Sequence, residues 1–69
     1  MNLIEFIPLI TEDQDKIVLR RLDARQQEYV IVGEYHSIKE IPIIYAYMSV
    51  NYVLGFNAEG YDGIQINIS

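Results

Sequence analysis

Ile64-Gln65-Ile66-Asn67-Ile68-Ser69 alternates strictly between apolar and polar residues. A period of two places Ile64, Ile66 and Ile68 on one side of an extended chain, so the stretch reads as a strand with one buried face. The residues before it, Asn57-Ala58-Glu59-Gly60-Tyr61-Asp62-Gly63, set the turn formers Asn57, Gly60 and Gly63 between apolar runs. That pattern predicts a hairpin connection. The fold is read outward from this C-terminal hairpin.

The rest of the chain favours strands as well. Its 69 residues include twelve Ile, five Val and six Tyr against five Leu, three Ala and two Met. β-Branched and aromatic side chains suit a pleated surface and lose rotamer freedom in a helix. Candidate strands fall at 2–10, 16–22, 28–36, 43–48, 51–56 and 62–68. The expected fold is mainly β, a small antiparallel sheet or barrel-like domain of five to six strands spanning residues 1–69 as a single domain.

Two segments leave alternatives open. Thr11 and Gln14 form a possible capping box, with acids in the first turn and Arg20, Arg21 and Arg25 beyond, so residues 12–27 could be one helix packed on an antiparallel sheet. Against it, Val18, Leu22 and Tyr29 make only a thin stripe. Residues 43–56 carry helix punctuation in Pro42 and Gly55, yet their apolar residues run all round a helical wheel. As a strand, Ile44, Ala46, Met48, Val50, Tyr52, Leu54 and Phe56 form one apolar side, expected in the core. Ile43, Tyr45, Tyr47, Ser49, Asn51, Val53 and Gly55 form a mixed side. A straight strand of that length would span ~46 Å, against a radius of gyration near ~11 Å for so short a chain. It must therefore bend, break near Ser49–Asn51 or reach a partner, and a bulge there would invert the facing of its second half. Ser37-Ile38-Lys39-Glu40 resembles a capping box that Pro42 stops within a turn, so a short turn between strands is expected.

Ten acids against five bases leave a net charge of −5, the wrong sign for a direct nucleic-acid binder. With no cysteine there is no disulfide, thiolate zinc site or thiol nucleophile. His36 stands near Glu34 and Glu40, but one histidine lacks the companions of a tight metal shell, and no metal is expected. Asp13-x-Asp15 fails as a calcium loop, because Val18 and Ala24 hold the positions that need Gly and Glu. No Gly-x-Ser-x-Gly elbow, P-loop or dinucleotide fingerprint occurs. No enzyme, catalytic residue or cofactor is expected. The longest apolar stretch, Ile43 to Phe56, is too short for a spanning helix and contains Ser49 and Asn51, so no membrane contact is expected. The N-terminus lacks a basic region and cleavage site, which sets the expectation of a cytoplasmic protein.

Two clusters are candidates for binding. Lys16, Arg20, Arg21 and Arg25 are four of the five bases and could hold an anion or an acidic partner. Ion pairing with flanking acids is the competing explanation. Tyr45, Tyr47, Asn51 and Tyr52 lie in the weakly charged stretch from Ile41 to Ser69, where Tyr would serve as an interface anchor or as ordinary core. Small size without staples favours a homo-oligomer. Three functions remain: an oligomerising, non-enzymatic acidic module that regulates or inhibits a protein partner; a binder of a small anionic, nucleotide-like ligand using Arg20, Arg21 and Arg25 at a subunit boundary; and a structural subunit of a larger assembly.

Overall fold

In the computed structural model, which describes residues 1–9, 16–58 and 61–69, four strands form one sheet. They are β1 (Lys16–Asp23), β2 (Glu28–Tyr35), β3 (Val50–Ala58) and β4 (Tyr61–Ile68), in the spatial order β2-β1-β4-β3. The mainly-β expectation holds, with four strands in place of five to six. β1 pairs antiparallel with β2, and β3 with β4, as two hairpins. The expected C-terminal hairpin is therefore present. The two hairpins join through a parallel β1–β4 pair, Ile17 beside Ile64 and Leu19 beside Ile66, so the sheet is mixed rather than antiparallel. It is an open sheet with β2 and β3 at its edges.

Three expectations are corrected. Residues 2–9 form no strand. Asn2 caps a short helix, α1 (Leu3–Phe6), and 3-10 geometry follows over Ile7–Leu9. The Asn2 side chain accepts from the Glu5 N–H at 3.0 Å, while Glu5 Oε1 accepts from the Asn2 N–H at 3.3 Å. This reciprocal cap satisfies two donors that a helix start leaves unpaired. The alternative helix over 12–27 is replaced by β1 and a turn from Lys16 onward; residues 12–15, with Asp13-x-Asp15 among them, lie outside the described residues. The third correction is the 43–48 strand, which is a 3-10 turn over Ile43–Tyr45 and a further turn.

The parallel pair explains that turn. β2 ends beside one end of β1, and β3 must start at the far end and the far edge of the sheet. The intervening chain crosses one sheet face, through Ile38–Glu40 and Ile43–Tyr45 in 3-10 geometry. Ile38, Ile41, Tyr45 and Met48 on this crossing pack on the core of Leu3, Ile17, Leu19, Ile66 and Ile68. All five core residues are at most 2% exposed. The expected turn at Ser37–Glu40 is present, with Glu40 Oε2 accepting from the backbone N–H of His36 at 2.6 Å and of Ser37 at 3.2 Å.

Extents of 35 × 25 × 18 Å correspond to the sheet and one covering layer, since packed layers are ~10 Å apart. Among the described residues, no helix or further strand covers the other sheet face, on which Ile31, Tyr52 and Leu54 are exposed.

Candidate binding surfaces

Two irregularities decide which side chains reach which face. In β2, Gly33 pairs with Leu19 and Ile31 with Arg20, leaving Val32 as an extra residue. In β3, Val50 pairs with Ile68 and Tyr52 with Asn67, leaving Asn51 unpaired in the same way. A bulge of one residue inverts the alternation beyond it. Val50 and Val53 consequently both pack on the core, and Tyr52 and Leu54 lie on the open face.

The expected two sides of 43–56 are rearranged, by the 3-10 turn at Ile43–Tyr45 before Asn51 and by the bulge at Asn51 beyond it. Ile44, expected in the core, is 75% exposed, and Leu54 is 45% exposed. Met48 and Val50 face the core as expected, joined by Tyr45 and Val53 from the mixed side. The four candidate partner-binding residues are dispersed. Tyr45 packs inward and Tyr47 stands 76% exposed. Asn51 donates to the Tyr29 hydroxyl at 3.0 Å and to Ser69 Oγ at 2.8 Å. Tyr52 is exposed on the open face.

The basic cluster is dispersed too. Arg20 and Arg21 are neighbours on β1, and strand alternation turns them to opposite faces. On the open face, Lys16 Nζ is 2.8 Å from Glu34 Oε1. Arg20 donates to the Tyr29 carbonyl at 3.1 Å and lies 5.9 Å from the centre of that ring. Tyr29, reaching across to Asn51, thus ties β2 to the start of β3 over this end of the sheet. Arg21 and Arg25 do come together, lining an open hollow of ≈ 520 Å³ with Asp23, Val30 and Val32 beside the β1–β2 turn.

Two carboxyl and phenol environments are distinctive. The Glu40 carboxyl is held below its ordinary range, first by the His36 N–H, then by the Ser37 N–H, with a smaller contribution from the His36 charge. Burial raises the Tyr35 phenol, and Tyr45 adds to the shift. Tyr35 lies over Gly33, where an added Cβ would overlap its ring, and Phe56 covers Gly63 in the same manner. These aromatic rings fill the space that the glycines leave open. Among the described residues no group of three His, Cys, Asp or Glu is arranged to hold a metal ion, and no helix is long and apolar enough to cross a membrane.

The crossing segment forms a surface of its own, in which Ile44, expected in the core, joins Ile43 and Tyr47 from the mixed side. Ile43 is 82% exposed, Ile44 75% and Tyr47 76%, on a turn braced by Tyr45 N–H to Pro42 O at 3.1 Å and Ala46 N–H to Ile43 O at 3.0 Å. Leu3 and Ile4 N–H groups hold the same turn from below, donating to Met48 O and Ala46 O. Pro42 was the available signal, since a proline at a helix start pre-sets the backbone for a turn. Together the described residues define a small mixed-sheet domain with one face covered, one that no described element covers, and a raised apolar turn. Comparison with protein-family models, with curated proteins and with solved structures yields no match.

Proposed function

We propose that this chain is a non-enzymatic, small acidic binding module that oligomerises and regulates or inhibits a protein partner. The observation that carries the reading is the turn bearing Ile43, Ile44 and Tyr47, each at least three-quarters exposed. Large apolar side chains held outward on a braced turn gain from desolvation by a partner and lose little entropy on binding. The net charge of −5 favours a partner whose contact surface is basic at its rim, because complementary charge speeds encounter.

A photo-crosslinking amino acid at position 47, incorporated in cells, tests this. The expected result is one predominant protein adduct that Ile44→Glu abolishes, while the same probe at Lys39 gives none. The purified adduct partner should then change its activity when the chain is added. Loss of the adduct's sensitivity to Ile44→Glu, or no effect on the partner's activity, would remove the reading.

One observation favours a second reading. Arg21 and Arg25 share the hollow beside the β1–β2 turn, where two guanidinium groups could take a small anion such as a nucleotide phosphate. Titration with inorganic phosphate and with a nucleoside triphosphate, on the native chain and on Arg21→Glu, tests it. Saturable binding that the substitution removes is the expected result; equal signals from both proteins would discard it.

A further inference from the structure

The two edges of the sheet differ in how they are defended against strand pairing. An unpaired edge presents free N–H and C=O groups, and proteins blunt such edges with charge, proline, bulges or a covering segment. β2 is blunted in two ways. Glu28 and Glu34 stand near its ends, and the bulge at Val32 lies within it. β3, Val50-Asn51-Tyr52-Val53-Leu54-Gly55-Phe56-Asn57-Ala58, contains no charge and no proline, and its own bulge, at Asn51, lies at its start and leaves Tyr52 to Ala58 regular. Its start is covered, because the Val50 N–H donates to the Met1 carbonyl at 2.9 Å and Asn2 bridges Ser49. Beyond Val50, among the described residues, no backbone hydrogen bond from another element reaches its outer side.

We propose that β3 pairs with β3 of a second copy of this chain, antiparallel about a two-fold axis at Leu54, joining two sheets into one of eight strands. The proposal rests on the self-association in the proposed function and assigns it a surface. Three features favour a second copy. First, identical antiparallel edges meet through a closed two-fold contact, which stops at two chains. Second, with Leu54 facing the partner's Leu54, Tyr52 faces the partner's Phe56. Aliphatic and aromatic cross-strand pairs of this kind stabilise a sheet, and they would extend the exposed Tyr52 and Leu54 into one continuous apolar band. Third, a chain of net charge −5 repels its copies, and β3 is the edge on which no carboxylate is brought opposite another. A basic peptide would find no acidic side chain there to pair with.

Sedimentation across the micromolar range tests this on the native chain, Leu54→Lys and Ile31→Lys. Both substituted residues are exposed on the open face, Leu54 at the β3 edge and Ile31 on β2. The native chain should be a dimer, Leu54→Lys a monomer with an unchanged circular dichroism spectrum, and Ile31→Lys a dimer. Because the chain has no cysteine, Leu54→Cys should form a covalent dimer on mild oxidation. Directly opposed residues are ~4.5–5.5 Å apart at Cα, within reach of a disulfide. Ile31→Cys should not crosslink. If Leu54→Lys fails to fold, the crosslinking pair decides alone. A native monomer would overturn both the edge pairing and the self-association on which it rests. A dimer that survives Leu54→Lys, or that dissociates with Ile31→Lys, or that Ile31→Cys traps in place of Leu54→Cys, would overturn the edge pairing only.

Discussion

Gln27 holds a left-handed backbone, φ 54°, at the end of the turn joining β1 to β2. Its N–H donates to the Asp23 carbonyl at 2.7 Å, and Asp23 Oδ1 accepts from the Arg25 N–H at 2.9 Å. A residue with a Cβ is strained in that conformation, whereas glycine is not. Gln27→Gly should therefore stabilise the fold by ~0.5–1 kcal/mol, read as a higher urea midpoint at unchanged slope. Glu40 makes a different prediction. Its folded carboxyl titrates below the unfolded one, so its contribution is present above the unfolded value and is lost as pH falls through the folded one. Glu40→Gln should be less stable than the native chain at neutral pH, and the gap should close on acidification. A gap that persists in acid would mean that the charge is not what holds the turn. The Ser37–Glu40 box was legible because side chain and backbone donors are local. The role of Tyr29 was not, since its link to Asn51 spans two strands that the topology alone brings near.

At the scale of elements, β1, β2, β3 and β4 were each legible within a residue or two, because β-branched runs bounded by turn residues carry their own signal. α1 was missed although Asn2 and Glu5 stand at the cap spacing, since Leu3, Ile4, Phe6 and Ile7 also suit a strand. The crossing segment was missed for a topological reason. Whether Ile43–Tyr45 turns or extends depends on where β3 must begin, and that follows from the parallel pair. Facing failed at Asn51, where one extra residue carries Leu54 out and Val53 in. The two sides now make opposite predictions. Ile66→Ala, at a fully buried site, should cost ~2–5 kcal/mol through lost burial and a cavity. Leu54→Ala should cost no more than ~0.5–1 kcal/mol of fold stability. Denaturant melts of both variants check the assignment, and equal losses would contradict it.

The described residues form a slab whose covered face carries the core and whose other face no described element covers. Composition made its acidity legible, and the charge has a direct physical outcome. With a sequence pI near 4.5, solubility should pass through a minimum around that pH and recover on either side, because self-repulsion vanishes where net charge does. Turbidity against pH checks this, and a minimum displaced well above it would indicate that acids are neutralised in the fold. The strand order has its own consequence. β4 supplies half of the central parallel pair, yet it is the last of the four strands in the chain. A first hairpin formed ahead of β4 has Ile17 and Leu19 extended and the inner edge of β1 unpaired. Until residues 61–68 dock beside it, that edge is free to pair with a neighbouring molecule, so refolding at high concentration meets its aggregation hazard before the parallel pair closes.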